Sequence, residues 1–302
     1  MRTVRSSYSA PPRSIAPCST LQTHGAMHTA PPSSTRPRHG SEAMHEHHPD
    51  CATAIVTEPN VHSTVAPDAM IRDAYWEPLG HDDPRMPPAC VIAFDPTAFD
   101  ASAWRRHEVR QPSALLHAVP KRQAEFLTGR IAARQAIARL GLAASIPGIG
   151  ASREPRWQNG VAGSITHVHG LAAAVAVAAS NINGIGIDVE RIVDAATRDA
   201  LRGTVVTTDE YALLKTACSR FDADLLLTTV FSAKESFFKG AFATVGRYFE
   251  FEAARLSSLD ADTGRLQLTL TQTLHPTLPE GRVFTIGFRM LAADTVVTSF
   301  IW

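Results

Sequence analysis

Lysine is nearly absent from this chain of 302 residues. Of its 29 basic residues only four are lysines, Lys121, Lys215, Lys234 and Lys239, and the last two fall in one short stretch. The formal net charge is zero. No global field therefore recruits nucleic acid or an anionic membrane, and affinity for a polyanion must come from a local patch. Cysteine is scarce as well. Positions 18, 51, 90 and 218 have no Cys-x-x-Cys spacing and no histidine at zinc-site spacing, so disulfide and structural-zinc readings lack support and a reducing, cytoplasmic compartment is the expectation. No apolar run reaches the ~18 residues needed to cross a bilayer, and the first segment has no apolar stretch of the secretory kind. Glycine-rich phosphate loops of the Walker and dinucleotide types are also missing, which disfavours nucleoside triphosphate hydrolysis.

What is present divides the chain into two kinds of polymer. From Met1 to about Pro88 it is crowded with Pro, Ser, Thr, Ala and His, and no acid precedes Glu42. Such a segment buries too little apolar area to offset its ordering entropy, so residues 1–88 are expected to be a disordered tail. Its histidines, His39, His45, His47 and His48, form a weak candidate metal tract. The acid-poor start also imitates an organelle transit peptide, although a plain tail, or a true start at Met44 or Met70, is the preferred reading. Beyond it, with 44% of all residues apolar, the chain can bury a sizeable core in one large or two small domains.

Coarse periodicity orders the remainder. Cys90 to Phe94 reads as a strand, and Lys121 to Leu140 as a helix with Pro120 at its first turn and Gly141 at its end. On that helix Arg122, Arg130 and Arg134 form either one basic flank or an ordinary solvated face. Gly129 inside it costs about 1 kcal/mol against alanine, which points to a close neighbour. Leu171 to Ala179 and Ile185 to Ile192 read as strands joined as a hairpin through Asn181-Ile182-Asn183-Gly184. Asp209 to Arg220 and Ala223 to Phe242 read as helices; Leu266 to Leu270, Val283 to Arg289 and Val296 to Trp302 read as antiparallel strands. The expectation is an α+β chain in two comparable halves, 89–182 and 183–302.

Three constellations carry chemistry. In Gly184-Ile185-Gly186-Ile187-Asp188-Val189-Glu190 the alternation puts Asp188 and Glu190 on one strand face, roughly 6–7 Å apart. In Phe231-Ser232-Ala233-Lys234-Glu235-Ser236-Phe237-Phe238-Lys239, Glu235 and Lys239 share a helix side. Three carboxylates beside two lysines suit one hard divalent cation and one oxygen-rich anion. The plain alternatives are an exposed strand's outward polar residues and a surface i,i+4 pair. Glycines flanking Asp188 strain the first alternative, because glycine weakens a strand unless backbone or ligand comes close. Third, Arg153-Glu154-Pro155 followed by Gly163-Ser164-Ile165-Thr166-His167 offers a guanidinium, a hydroxyl and an imidazole near a strand-to-loop transition. These can hold a phosphate by charge-assisted hydrogen bonds, or the histidine is a capped loop residue.

Taken in order, these motifs resemble the 4′-phosphopantetheinyl transferases over about residues 90 to 302, most closely the enterobactin-synthase component D branch. Gly-Ile-Asp-x-Glu with Lys-Glu-x-x-x-Lys at this separation is the specific part. The resemblance implies transfer of phosphopantetheine from coenzyme A to a serine of an apo acyl or peptidyl carrier protein, with release of adenosine 3′,5′-bisphosphate, in siderophore or other nonribosomal peptide or polyketide synthesis. It implies a pseudo-dimer of two halves in one functional monomer, with coenzyme A in the cleft between them. Asp188, Glu190 and Glu235 inherit the Mg²⁺ on the pyrophosphate, Asp188 also touching the coenzyme, and Glu235 becomes the candidate base for the serine. Lys239 and Lys234 would neutralise the leaving group, Arg153, Thr166 and His167 would hold the 3′-phosphate end, and Arg122 and Arg130 match basic positions. Phe231 stands where the family often has Trp, and Thr166 where many members have Ser; bulk and hydroxyl are kept. A carrier-protein or coenzyme-binding module without turnover, and a metal-dependent phosphodiesterase, are the competing readings.

Overall fold

The computed structural model describes residues 61–62, 68–80, 82–217 and 221–302. The tail histidines and Cys18, Cys51 and Cys218 lie outside them. In chain order the elements are β1 (Val61–His62), β2 (Ile71–Glu77), β3 (Ala89–Phe94), α1 (Ala103–Arg106), α2 (Pro120–Ala138), β4 (Gly148–Ile149), β5 (Pro155–Arg156), β6 (Val161–Val168), β7 (Leu171–Ala178), β8 (Ile185–Arg191), α3 (Ala195–Thr204), α4 (Thr208–Ala217), α5 (Ala223–Val245), β9 (Ala254–Asp260), β10 (Arg265–Leu270), β11 (Val283–Ala292) and β12 (Thr295–Ile301). They build two five-stranded antiparallel sheets, ordered β1-β2-β3-β7-β6 and β8-β12-β11-β10-β9, with a small β4-β5 hairpin. Helix α2 packs on the first sheet and α5 on the second, so the architecture is α+β.

Most of the expected tail, 1–88, lies outside the described residues, but its last part is described and is not a tail. Residues 71–77 form β2, paired with β3, and Met70, Ile71, Ala74 and Leu79 are buried. A register shift between Ile71 and Asp73 breaks the alternation of this strand, so its pattern gives no period-two signal amid the proline-rich surroundings.

The expected hairpin between Leu171–Ala179 and Ile185–Ile192 does not form. β7 pairs with β3 and β6, whereas β8 pairs with β12. After a short 3-10 turn at Ala179–Asn181, the backbone N–H groups of Asn183 and Gly184 bond to the Trp302 carbonyl and Trp302 N–H bonds back to Gly184. The C-terminus thus captures the chain into the second sheet before it can turn back.

Alternation explains how the two sheets share a core. On β3 and β7, Cys90, Ile92, Ala172 and Ala174 face α2, while Val91, Ala173, Val175 and Val177 face the other way and pack with Ile185, Ile187 and Val189 of β8 and Val297 and Ile301 of β12. β8 therefore directs its aliphatic residues into this seam and Gly186, Asp188 and Glu190 to its opposite face. Where the sheet edges meet, hydroxyls do the work of a ladder: Ser164 Oγ accepts from Ile187 N at 3.1 Å and Thr166 Oγ1 accepts from Val189 N at 3.2 Å.

Candidate active site

Helix α5 supplies half of the site, and its ends are well specified. The Asp222 side chain caps it by accepting from Asp224 N and Leu225 N, and Gly246 closes it in the left-handed region at φ 69°. One face carries Ser232, Glu235, Ser236, Lys239 and Gly240, at i, i+3, i+4, i+7 and i+8. That face lies on β8 so closely that a Cβ at Gly186 would stand 1.9 Å from the Ser236 carbonyl oxygen, and one at Gly184 1.8 Å from that of Gly240. The glycines beside Asp188 exist because helix backbone crosses there.

This crossing brings Asp188, Glu190, Glu235 and Lys239 together. Asp188, 3% exposed, accepts on Oδ1 from Lys239 Nζ at 2.6 Å and from Thr166 Oγ1 at 3.0 Å, and on Oδ2 from Ser232 Oγ at 2.9 Å. Lys239 also reaches the Ile187 carbonyl at 3.3 Å. Burial, followed by repulsion from Asp188, pushes the Glu190 carboxyl up to about 8, with Lys239 opposing and Glu235 adding. Burial likewise raises Glu235 against the pull of Lys239. Burial lowers the Lys239 ammonium, but Asp188 and Glu235 outweigh it and hold the group above its ordinary value.

Two half-buried carboxyls raised by desolvation and by repulsion from Asp188 form a site that a cation would relieve, and three carboxylates are the hard oxygen donors that Mg²⁺ takes. The donor set fits the ion. The fit is one of donor type: among the described residues no three His, Cys, Asp or Glu side chains stand grouped so as to hold a metal ion, and at Asp188 the positive charge is that of Lys239.

Beside this cluster β6 presents Thr166 and His167 among its last residues, just before the strand closes at Val168. Arg122 Nη1 lies 2.8 Å from His167 Nε2. Both sit near Glu125, a buried carboxyl the sequence reading passed over, at 3.7 Å from the guanidinium and 3.9 Å from His167 Nδ1. Burial, then Arg122 and Lys239, pushes His167 down to about 4, so the imidazole is neutral near pH 7. Arg153 occupies the β4–β5 turn with φ 69° and is exposed. Glu154 folds back there to accept from Ser152 N, its carboxylate lying over Gly150 where a Cβ would displace it.

Three expectations are corrected. Lys234 does not join Lys239: it is 2% exposed, pairs with Glu210 Oε1 at 2.7 Å and donates to the Val205 carbonyl at 2.7 Å. Five positions from Lys239, it lies on another side of the helix, where Glu210 also accepts from Leu256 N and Thr207 N. Arg130 is buried, donating to the Gly148 carbonyl and lying over the Phe126 ring, with its Nε unpartnered. Arg134 bonds to the His107 carbonyl. The three arginines of α2 thus go to three places, and only Arg122 meets His167.

Fold and site together define an α+β protein with a carboxylate–lysine cluster beside an arginine–histidine corner. The model of the 4′-phosphopantetheinyl transferase N-terminal domain matches residues 111–177, and that of the 4′-phosphopantetheinyl transferase superfamily matches 184–286. Enterobactin synthase component D of Salmonella typhimurium is 36% identical over 194 residues, covering 63% of this chain and 79% of its own. Its namesake in Escherichia coli K12 is 38% identical over 152 residues, covering 50% and 68%. The 4′-phosphopantetheinyl transferase Svp of Streptomyces mobaraensis is 35% identical over 147 residues, covering 49% and 58%. A crystal structure of the Thermotoga maritima holo-[acyl-carrier-protein] synthase aligns with 40% of this chain and 62% of its own at TM-score 0.30 and 19% identity, a likeness too slight to carry weight. The chain belongs to the 4′-phosphopantetheinyl transferase family and is of the enterobactin synthase component D type.

Proposed function

We propose that the chain transfers 4′-phosphopantetheine from coenzyme A to a serine of an apo carrier protein in a Mg²⁺-dependent reaction, releasing adenosine 3′,5′-bisphosphate. One observation carries the reading: a strand and a distant helix place Asp188, Glu190, Glu235 and Lys239 at one crossing, next to the Arg122–His167 corner. A bound Mg²⁺ would draw charge from the pyrophosphate oxygens and orient them. Asp188, Glu190 and Glu235 would hold it. The serine oxygen forms a bond to the phosphorus that bears pantetheine, the bridging P–O bond breaks, and the nucleotide bisphosphate leaves with the electron pair. Glu235, whose carboxyl is raised above its ordinary value by burial, takes the serine proton. Lys239 is the cation at hand for charge on the departing phosphate. Arg122 and His167 suit the 3′-phosphate, His167 serving as a neutral donor; Arg153, exposed on the β4–β5 turn, stays a candidate for the same group, whereas Thr166 faces Asp188 on the opposite side of β6. The names of the relatives favour a siderophore-type peptidyl carrier as acceptor.

The test is incubation with coenzyme A and Mg²⁺, with and without apo carrier proteins of the nonribosomal peptide and fatty acid types. Adenosine 3′,5′-bisphosphate forming only with an acceptor supports the reading. Coenzyme A cleaved without any acceptor would identify a phosphodiesterase, and coenzyme A bound without product a binding module.

A further inference from the structure

Six hydroxyl side chains are buried where β6, β8, β12 and α5 meet: Ser164, Thr166, Ser232, Ser236, Thr298 and Ser299. Three of them form a line that ends on a carboxylate. Ser236 Oγ lies 2.5 Å from Thr298 Oγ1, Thr298 Oγ1 lies 2.9 Å from Ser232 Oγ, and Ser232 Oγ lies 2.9 Å from Asp188 Oδ2. Thr298 stands directly opposite Asp188 in the β8–β12 pairing.

A carboxylate only accepts, and a hydroxyl has one proton to give. Ser232 therefore donates to Asp188 and must accept from Thr298, whose proton is then committed, so Thr298 must accept from Ser236. The line has one direction, with three O–H dipoles head to tail toward Asp188, and such chains polarise cooperatively in a low-dielectric interior.

The same helix supplies the contrast. Thr228 and Thr229 of α5, like Thr128 of α2, return their hydroxyls to the carbonyl four residues back, which is the ordinary way a buried helical hydroxyl is satisfied. Ser232 and Ser236 instead point across to the sheet.

We infer that Ser232, Thr298 and Ser236 are positioning residues, a one-way hydroxyl line that sets the orientation of Asp188 for the cation the proposed reaction uses. Residues that orient metal-binding side chains are worth 10–100-fold in affinity, so the effect is measurable on binding itself. The inference rests on the reading above in that it assigns Asp188 to a cation.

The experiment is equilibrium binding of Mn²⁺, followed by the loss of its free-ion electron paramagnetic resonance signal, with coenzyme A present and turnover measured separately. Ser232→Ala should weaken Mn²⁺ binding about tenfold, and Ser232→Thr and Thr298→Ser, which keep the hydroxyls, should restore it. Thr298→Val, equal in volume, should also weaken binding, and the Ser232→Ala/Thr298→Val pair should lose no more than Ser232→Ala alone, because Thr298 reaches Asp188 only through Ser232. Wild-type affinity in Ser232→Ala or Thr298→Val, or losses that multiply in the pair, would overturn the inference. Wild-type protein that fails to modify any carrier, with Mn²⁺ affinity still lost in Ser232→Ala, would sink the transfer reading alone. Active protein with unchanged affinity in the variants would sink the hydroxyl line alone.

Discussion

Lys234 and Lys239 are five positions apart in one helix and do different work. Lys239 faces the carboxylates, whereas Lys234 is buried against Glu210, and burial pulls its ammonium down while Glu210 opposes. Removing one partner of a buried pair leaves the other charge uncompensated, at a cost of about 3–5 kcal/mol. Lys234→Ala should therefore lower the urea midpoint strongly, and adding Glu210→Gln to Lys234→Met should recover part of the loss. A Lys234→Ala protein of wild-type stability with abolished transfer would restore the direct role. His167 makes a second case. Its folded value is about 4 against about 6.5 unfolded, so between those values the unfolded chain binds the extra proton and stability rises with pH, levelling off above about 6.5. Urea unfolding at pH 5 and pH 7 should show this rise, and His167→Gln should flatten it; an unchanged rise would place its source elsewhere. Sequence could reveal Asp188, Glu190, Glu235 and Lys239, because each sits in a short motif with a period. It could not reveal Glu210 or Thr298, whose partners are 24 and 110 positions away and meet them only through packing and strand register.

At the scale of elements, the crossing of β8 and α5 positions the chemistry, and glycine permits it. Gly186→Ala must push α5 off the strand, because its Cβ would fall inside the Ser236 carbonyl. A loss of about 1–3 kcal/mol together with loss of transfer is expected. Gly203→Ala in α3 is the control: nothing lies within 4 Å of its Cβ, and up to about 1 kcal/mol of added stability is expected. Urea titration of both checks the pair, and a neutral Gly186→Ala would contradict the close crossing. The long helices were legible, since caps and apolar spacing are local. So were β3, β7, β8, β10, β11 and β12, whereas β9 was not. The partners of β7 and β8 were not legible either: Asn-Gly favours a tight turn and a hairpin locally, but β7 pairs with β3 and β6 while β12 takes β8. Likewise Gly129 needed room for a strand, Ile165 Cγ2 lying 3.0 Å from where its Cβ would be, yet the strand itself, β6, went unrecognised because Gly163, Ser164 and Thr166 dilute its apolar alternation. Those small and hydroxylated residues are the ones that close the seam with β8.

For the whole molecule, the two sheets share one seam of Val91, Val175, Ile187, Val189 and Val297, and the site lies on the face of β8 opposite it. A common core predicts one cooperative transition. Tryptophan emission, which reports Trp76, Trp104 and Trp157 before the seam and Trp302 after it, should give the same urea midpoint as far-ultraviolet ellipticity. Two separated transitions would mean that the sheets fold apart and that the seam contributes little. The central claim, that the carboxylates gathered at the β8–α5 crossing drive phosphopantetheine transfer, is tested most directly by intact mass of an apo carrier protein after incubation with coenzyme A and Mg²⁺. Wild-type protein should add one phosphopantetheine per carrier, and Asp188→Asn and Glu235→Gln, folded as judged by ellipticity, should add none in the same time. The full mass gain in both variants would contradict the account.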